Sequence, residues 1–204
     1  MTPELKARID QTHGKVGGWC PVEKTYAMAD LVIATQPRLI VEIGVLEGQS
    51  LFPQLHAMAA AGLDGRVVGI DPWRHDNAIE GGAGAENAQD SFWSQESLHG
   101  RHIAFMENLW RWSLGDRCVI MRCPSAVAAS LFQPGTIDIL HIDGNHSAVQ
   151  ACLDVTLFVP LVRSGGHIWF DDADWPSVQE ALSWIAARGE KLPGVQTCAL
   201  FRKL

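Results

Sequence analysis

Apolar residues along the chain fall into short, nearly continuous runs at 39–43, 66–71, 118–123, 137–143 and 164–172, the last opening on a glycine turn. Glycine, proline or acidic residues punctuate these runs. Leu39-Ile-Val-Glu-Ile43 is continuous rather than alternating, which predicts a strand covered on both faces, as in a parallel sheet. Between the runs the apolar spacing turns helical. Val22, Tyr26, Ala29, Val32 and Ile33 predict a helix over 22–35, and Leu51, Leu55, Met58 and Ala59 one over 50–61 with Gly62 as C-cap. Helices are also expected over 1–12, over 124–131 behind Pro124, and over 176–188. Ser147-Ala-Val-Gln150 fits a capping box for a helix carrying Val149, Cys152, Leu153 and Thr156, and 195–202 suits a closing strand. The alternation predicts a Rossmann-like, doubly wound, mostly parallel sheet with helices on both faces. One domain over 1–204 is expected, with 1–36 as an N-terminal helical segment and 73–115 as an insertion after the second strand.

That insertion breaks the rhythm. Residues 74–90, with Gly81-Gly-Ala-Gly84 and few apolar positions, read as a mobile excursion, and 91–98 and 101–114 read as helices. Trp19, Trp73, Trp93, Trp110 and Trp112 all lie in the insertion or the N-terminal segment, an arrangement suited to a lid of aromatic walls over a substrate. Mutual packing of these rings explains them equally well.

Charge and cysteines narrow the chemistry. A net charge of −7, without clustered Lys and Arg, works against nucleic acid as a partner. The five cysteines are odd in number, scattered and without a Cys-x-x-Cys pair, so reduced thiols are expected. No apolar run approaches the roughly 18 residues of a membrane span, and the first residues are charged where a signal peptide would be apolar. A cytoplasmic enzyme acting on a small molecule, off the membrane, is the expectation; homo-oligomerisation is left open.

Candidate chemistry gathers at strand ends. Gly44 and Gly48 follow the first strand and permit a sharp turn, after which Ser50 opens a helix whose first amides face back into it. The dinucleotide fingerprint Gly-x-Gly-x-x-Gly is absent. Glu42 would repel a pyrophosphate, favouring a cationic or hydroxyl-rich ligand. Asp71 ends the second strand, and Pro72 stops that strand and holds the carboxylate at the sheet edge, where its two oxygens match the paired hydroxyls of a ribose. Asp143, Asp171 and Asp172 end later strands at the same edge. Three hard oxygen ligands without sulfur favour Mg²⁺, with Ca²⁺ or Mn²⁺ as alternatives.

The strand, acidic residue and glycine loop at 39–50 resemble class I S-adenosylmethionine-dependent methyltransferases. Ile142-Asp-Gly-Asn-His-Ser147 and Gly165-Gly-His-Ile-Trp-Phe-Asp-Asp172 resemble the subgroup of metal-dependent sugar O-methyltransferases of macrolide and aminocoumarin biosynthesis and the cephalosporin hydroxylase-like proteins. The resemblance covers roughly residues 20 to 185. It implies S-adenosylmethionine as cofactor, with Glu42 and Gly44 at its methionine end, Ser50 and the helix start at its carboxylate, Asp71 at the ribose and Ser125 at the adenine, and with Gly48 and Pro72 also among the cofactor-binding residues. It also implies Asp143, Asp171 and Asp172 as ligands of a divalent ion. Some members place an acidic base two positions after the first ligand, where this chain has Asn145; others use a histidine three positions after it, which His146 matches. The implied activity is O-methylation of a sugar or natural-product hydroxyl, with His146 as general base and Asp143 beside it. Its rivals are a nucleotide-binding oxidoreductase or hydroxylase-like relative, and a non-catalytic cofactor-binding protein.

Overall fold

A computed structural model of the chain describes residues 1–79 and 87–204. The glycines at 81–84 lie outside the described residues, and so does part of the expected excursion. Among the described residues seven strands form one sheet: β1 (Leu39–Ile43), β2 (Arg66–Ile70), β3 (Cys118–Met121), β4 (Ile137–Ile142), β5 (Val162–Phe170), β6 (Gly189–Leu192) and β7 (Ala199–Lys203). Their order is β3-β2-β1-β4-β5-β7-β6. The first five are parallel, and β7 and β6 complete the sheet antiparallel to their neighbours. The expected doubly wound, mostly parallel architecture is therefore the one formed. The expected closing strand starts four residues later, at Ala199, and β6 is an addition.

Helices cover both faces, as burial of continuous apolar strands requires. On one side lie α1 (Pro3–His13), α2 (Val22–Thr35), α3 (Leu51–Ala60) and α6 (Leu98–Arg111); on the other lie α7 (Ser125–Ala129), α8 (Ala148–Phe158) and α9 (Gln179–Ala186). Two short helices, α4 (His75–Ala78) and α5 (Asn87–Gln95), belong to the insertion. The alternation of side chains along β1 sends Val41 and Ile43 to the α7–α9 face and Ile40 to the α1–α3 face. Glu42 shares the parity of Ile40 and so turns toward α3.

Two helices present a different face from the one their apolar spacing predicts. In α2 the buried residues are Lys24, Thr25, Met28, Ala29 and Val32, whereas Tyr26 and Ile33 are only partly covered. In α8 they are Ala151, Asp154, Val155 and Phe158, whereas Val149 is 81% exposed. Each helix thus carries a charged residue into the interior.

Candidate active site

A cavity of 310 Å³ opens at the carboxyl ends of β1, β2, β4 and β5. Its walls include the turn Gly44–Leu46, Asp71 and Pro72, Ser125, the Asp143–His146 turn, Asp171 and Asp172. The volume lies at the lower end of the roughly 300–1,000 Å³ of small-molecule sites.

Gly44 has φ +84°, and a Cβ built there would lie 1.9 Å from the carbonyl oxygen of Asp143. Glycine is required because the backbones of the two turns touch, which carries the β1–β4 register to the rim of the site. Val45 and Leu46 then point their amides at Asp71 Oδ2, each at 3.0 Å, and the Trp73 amide reaches Oδ1 at 2.7 Å. Burial pushes the Asp71 carboxyl above its usual range, against those three hydrogen bonds. A carboxylate offers about four lone-pair directions. Asp71 therefore keeps one on Oδ1 for a ligand, fewer than the two expected for paired ribose hydroxyls.

Glu42 and Gly48 require correction as cofactor contacts, since neither lines the cavity. Glu42 is wholly buried; Ser50 Oγ donates to its Oε1 at 2.7 Å and Gln54 Nε2 to its Oε2 at 2.6 Å. It holds the start of α3 in place. Gly48, at φ +88°, is needed because a Cβ would meet Phe52 and Phe105 at 2.9 Å. Ser50 does line the cavity, with its hydroxyl turned away to Glu42. Ser125 lines it too, and its hydroxyl donates to Asp154 Oδ1, an acceptor shared with Gln150 Nε2 at 2.9 Å.

The acids at the ends of β4 and β5 divide into two groups. Asp143 and Asp171 share the strand parity that faces α2, where the buried Lys24 meets them: its Nζ is 3.5 Å from Asp143 Oδ2 and donates to Asp171 Oδ2. Asp171 Oδ1 accepts from the Asp172 amide at 3.1 Å and from the Cys198 thiol, which burial pushes up to about 12 so that it stays protonated. Burial would raise the Asp171 carboxyl, but the Lys24 charge and its hydrogen bonds hold it below the usual range, while burial carries Asp143 upward. Asp172, at φ +47°, turns elsewhere: its Oδ2 lies 3.7 Å from His146 Nε2. His146 lines the cavity and packs 5.1 Å from the Trp175 ring.

The expected ligand trio of Asp143, Asp171 and Asp172 is thus not assembled around one point. Among the described residues, His141, Asp143 and Asp171 have ligand atoms within 4.8 Å of one another. Lys24 already sits on two of the three. The residues present do not fit a divalent ion while that ammonium is in place.

The insertion and N-terminal segment do meet over the cavity. Trp19 and Trp93 line it, and Trp19 packs edge-on against Phe92 and Trp93 at 5.3 and 5.7 Å. Trp73 is buried with its indole N–H on the Leu46 carbonyl, Trp112 packs against His56, and Trp110 is 85% exposed. Asn145, unsuited to proton transfer, serves the architecture instead, since its amide donates to the Asn77 and Ile79 carbonyls and so ties the insertion to the β4–α8 turn. Neither spacing nor resemblance marks Lys24, Asn145, Gln150 or Asp154 as binding or catalytic residues. For Lys24 the available signal is a charged residue one turn before a buried Met28 on the same helix face.

Residues 41–173 match the model of a family described as a methyltransferase domain. The uncharacterized protein y4gI of Sinorhizobium fredii is 27% identical over 162 residues; the match covers 79% of this chain but only 15% of that protein. The fold is similar to that of the O-methyltransferase TomG of Streptomyces achromogenes, solved with S-adenosylmethionine (TM-score 0.64, 18% identity, 100% of this chain and 91% of that one). It is likewise similar to an O-methyltransferase of Bacillus cereus bound to S-adenosylhomocysteine (0.60, 16%, 100% and 92%). The methyltransferase PaMTH1 of Podospora anserina, bound to the same product, gives 0.64 at 14% identity over 100% and 89%.

Proposed function

Because this chain belongs to the methyltransferase-domain family, we propose that it transfers the methyl group of S-adenosylmethionine to a hydroxyl of a small molecule, with His146 as general base. One observation carries the reading. A single cavity joins the Gly44–Leu46 turn and Asp71 to His146 and Asp172. The first pair suits the nucleoside of the cofactor; the second suits an acceptor that must lose a proton.

When bound, S-adenosylmethionine supplies an electrophilic methyl on a sulfonium. The residues of the chain do the rest by placement. Asp71 offers Oδ1 to a ribose hydroxyl, and Pro72 and Ser125 line the same cavity. The acidic rim favours a sulfonium over the diphosphate of a nicotinamide dinucleotide. His146 takes the proton of the acceptor hydroxyl, and the Asp172 carboxylate stabilises the imidazolium that forms, as a nearby opposite charge does. Trp19 and Trp93 hold an apolar or sugar face of the acceptor and exclude water. No step is assigned to a divalent ion.

Calorimetry with S-adenosylmethionine, S-adenosylhomocysteine and NAD tests the cofactor, and transfer of labelled methyl to a panel of hydroxylated sugars and phenols tests the reaction. Binding of the first two compounds without NAD is expected. Binding of NAD alone would end the proposal.

A further inference from the structure

We propose that the Lys24 ammonium is itself the resident cation of the carboxylates at the ends of β4 and β5, so that this chain works without a divalent ion. The resemblance in sequence places an ion among these acids; the structure places a side chain there. Helix α2 crosses the sheet on the face to which His141, Asp143 and Asp171 all turn, and its buried stripe delivers Lys24 to them. The lysine side chain is 1% exposed, so its charge has no water to solvate it and depends on these partners.

Three of the four carboxylate oxygens of Asp143 and Asp171 are engaged. Asp171 Oδ2 takes Lys24, and Asp171 Oδ1 takes the Asp172 amide and the Cys198 thiol. Asp143 Oδ2 lies 3.5 Å from Nζ. A magnesium ion demands oxygens at roughly 2.0–2.1 Å in near-octahedral array. It would compete for the same oxygens and sit against a buried positive charge. Asp172 does not help it, being turned to His146. His141 is the imidazole of the compact trio; its ring nitrogens lie 3.0 Å from Glu42 Oε2 and 3.9 Å from Asp143 Oδ2, without well-aligned hydrogen bonds. Removing the ammonium would therefore expose a ready set of one imidazole and two carboxylates. Lys24 is a positioning residue that holds Asp143 and Asp171 at the cavity wall; that this wall faces a methyl acceptor rests on the methyl-transfer reading.

Manganese binding followed by electron paramagnetic resonance gives a readout independent of turnover. The sharp spectrum of aqueous Mn²⁺ should persist when the wild-type protein is added, and turnover should be unchanged by EDTA. In Lys24→Ala, one equivalent of protein should remove the aqueous signal, and the double variant Lys24→Ala with Asp171→Asn should restore it. Loss of the aqueous signal with the wild-type protein, reversed by Asp171→Asn, would overturn the assignment, whether or not the lysine variants fold. Calorimetry with S-adenosylmethionine on the same preparations reports separately on the proposed activity: a protein that binds the cofactor and also Mn²⁺ refutes the role of Lys24 alone.

Discussion

Asp154 provides a quantitative test of the electrostatics beside the cavity. It lies on α8 with 1% exposure, and its Oδ1 accepts from both Ser125 Oγ and Gln150 Nε2. Burial pushes its carboxyl from 3.8 up to about 6, against those two hydrogen bonds and the pull of His146. The folded state therefore holds a proton that the unfolded chain has released. The resulting stabilisation is complete below about pH 4 and is lost as pH rises through about 6. At 1.36 kcal/mol per pH unit the charged form is disfavoured by roughly 3 kcal/mol. Asp154→Asn keeps an oxygen for both donors and removes the charge. The variant should match the wild type near pH 4 and exceed it by roughly 3 kcal/mol at pH 8, which is about 6–12 °C in Tm for a domain of this size. Urea unfolding of the cofactor-free proteins, followed by tryptophan fluorescence across this pH range, reads the difference directly. Repeating it in a His146→Ala background removes the opposing influence of the imidazole. Parallel pH profiles for the wild type and Asp154→Asn would refute the reasoning.

Three further outcomes are expected. His146→Ala should lower turnover by roughly 10²- to 10⁴-fold while leaving S-adenosylmethionine affinity unchanged, as steady-state kinetics beside calorimetry will show. Gly44→Ala should destabilise the fold by about 3 kcal/mol or more in urea unfolding, because the new methyl group meets the Asp143 carbonyl and the positive φ disfavours alanine. Trp19→Ala should raise KM for an apolar acceptor by roughly tenfold, the equivalent of about 1.4 kcal/mol, without changing cofactor affinity; an unchanged KM would remove Trp19 from the acceptor wall.

The sheet was legible because parallel strands need cover on both faces and so are written as unbroken apolar runs. The residues of β1, β2 and β4 stand where those runs put them. The strand β6 was not legible: Gly189–Leu192 is a polar edge strand with both central residues exposed, and nothing apolar marks it. The site was legible as a row of acids, but their facing was not. Glu42 and Asp71 both stand near strand ends, and only packing shows that Glu42 turns under α3 while Asp71 opens on the cavity. Helical phase failed where a charged residue is buried. Apolar spacing ranks Lys24 and Asp154 as solvent-facing, and their partners, Asp143 with Asp171 and Ser125 with Gln150, lie elsewhere in the sequence or are themselves polar.

The ammonium on α2 and the thiol of Cys198 both reach the acids from outside the stretch 41–173 shared with the methyltransferase family. Transferring ion ligands between relatives on that stretch alone passes over the group already bound to them. An excised core ending at those limits would carry the two carboxylates without the ammonium that bridges them. Helix α2 thus brings to these carboxylates a charge that the shared stretch does not contain, and homologues differing only at the position of Lys24 can be expected to differ in whether they require a metal.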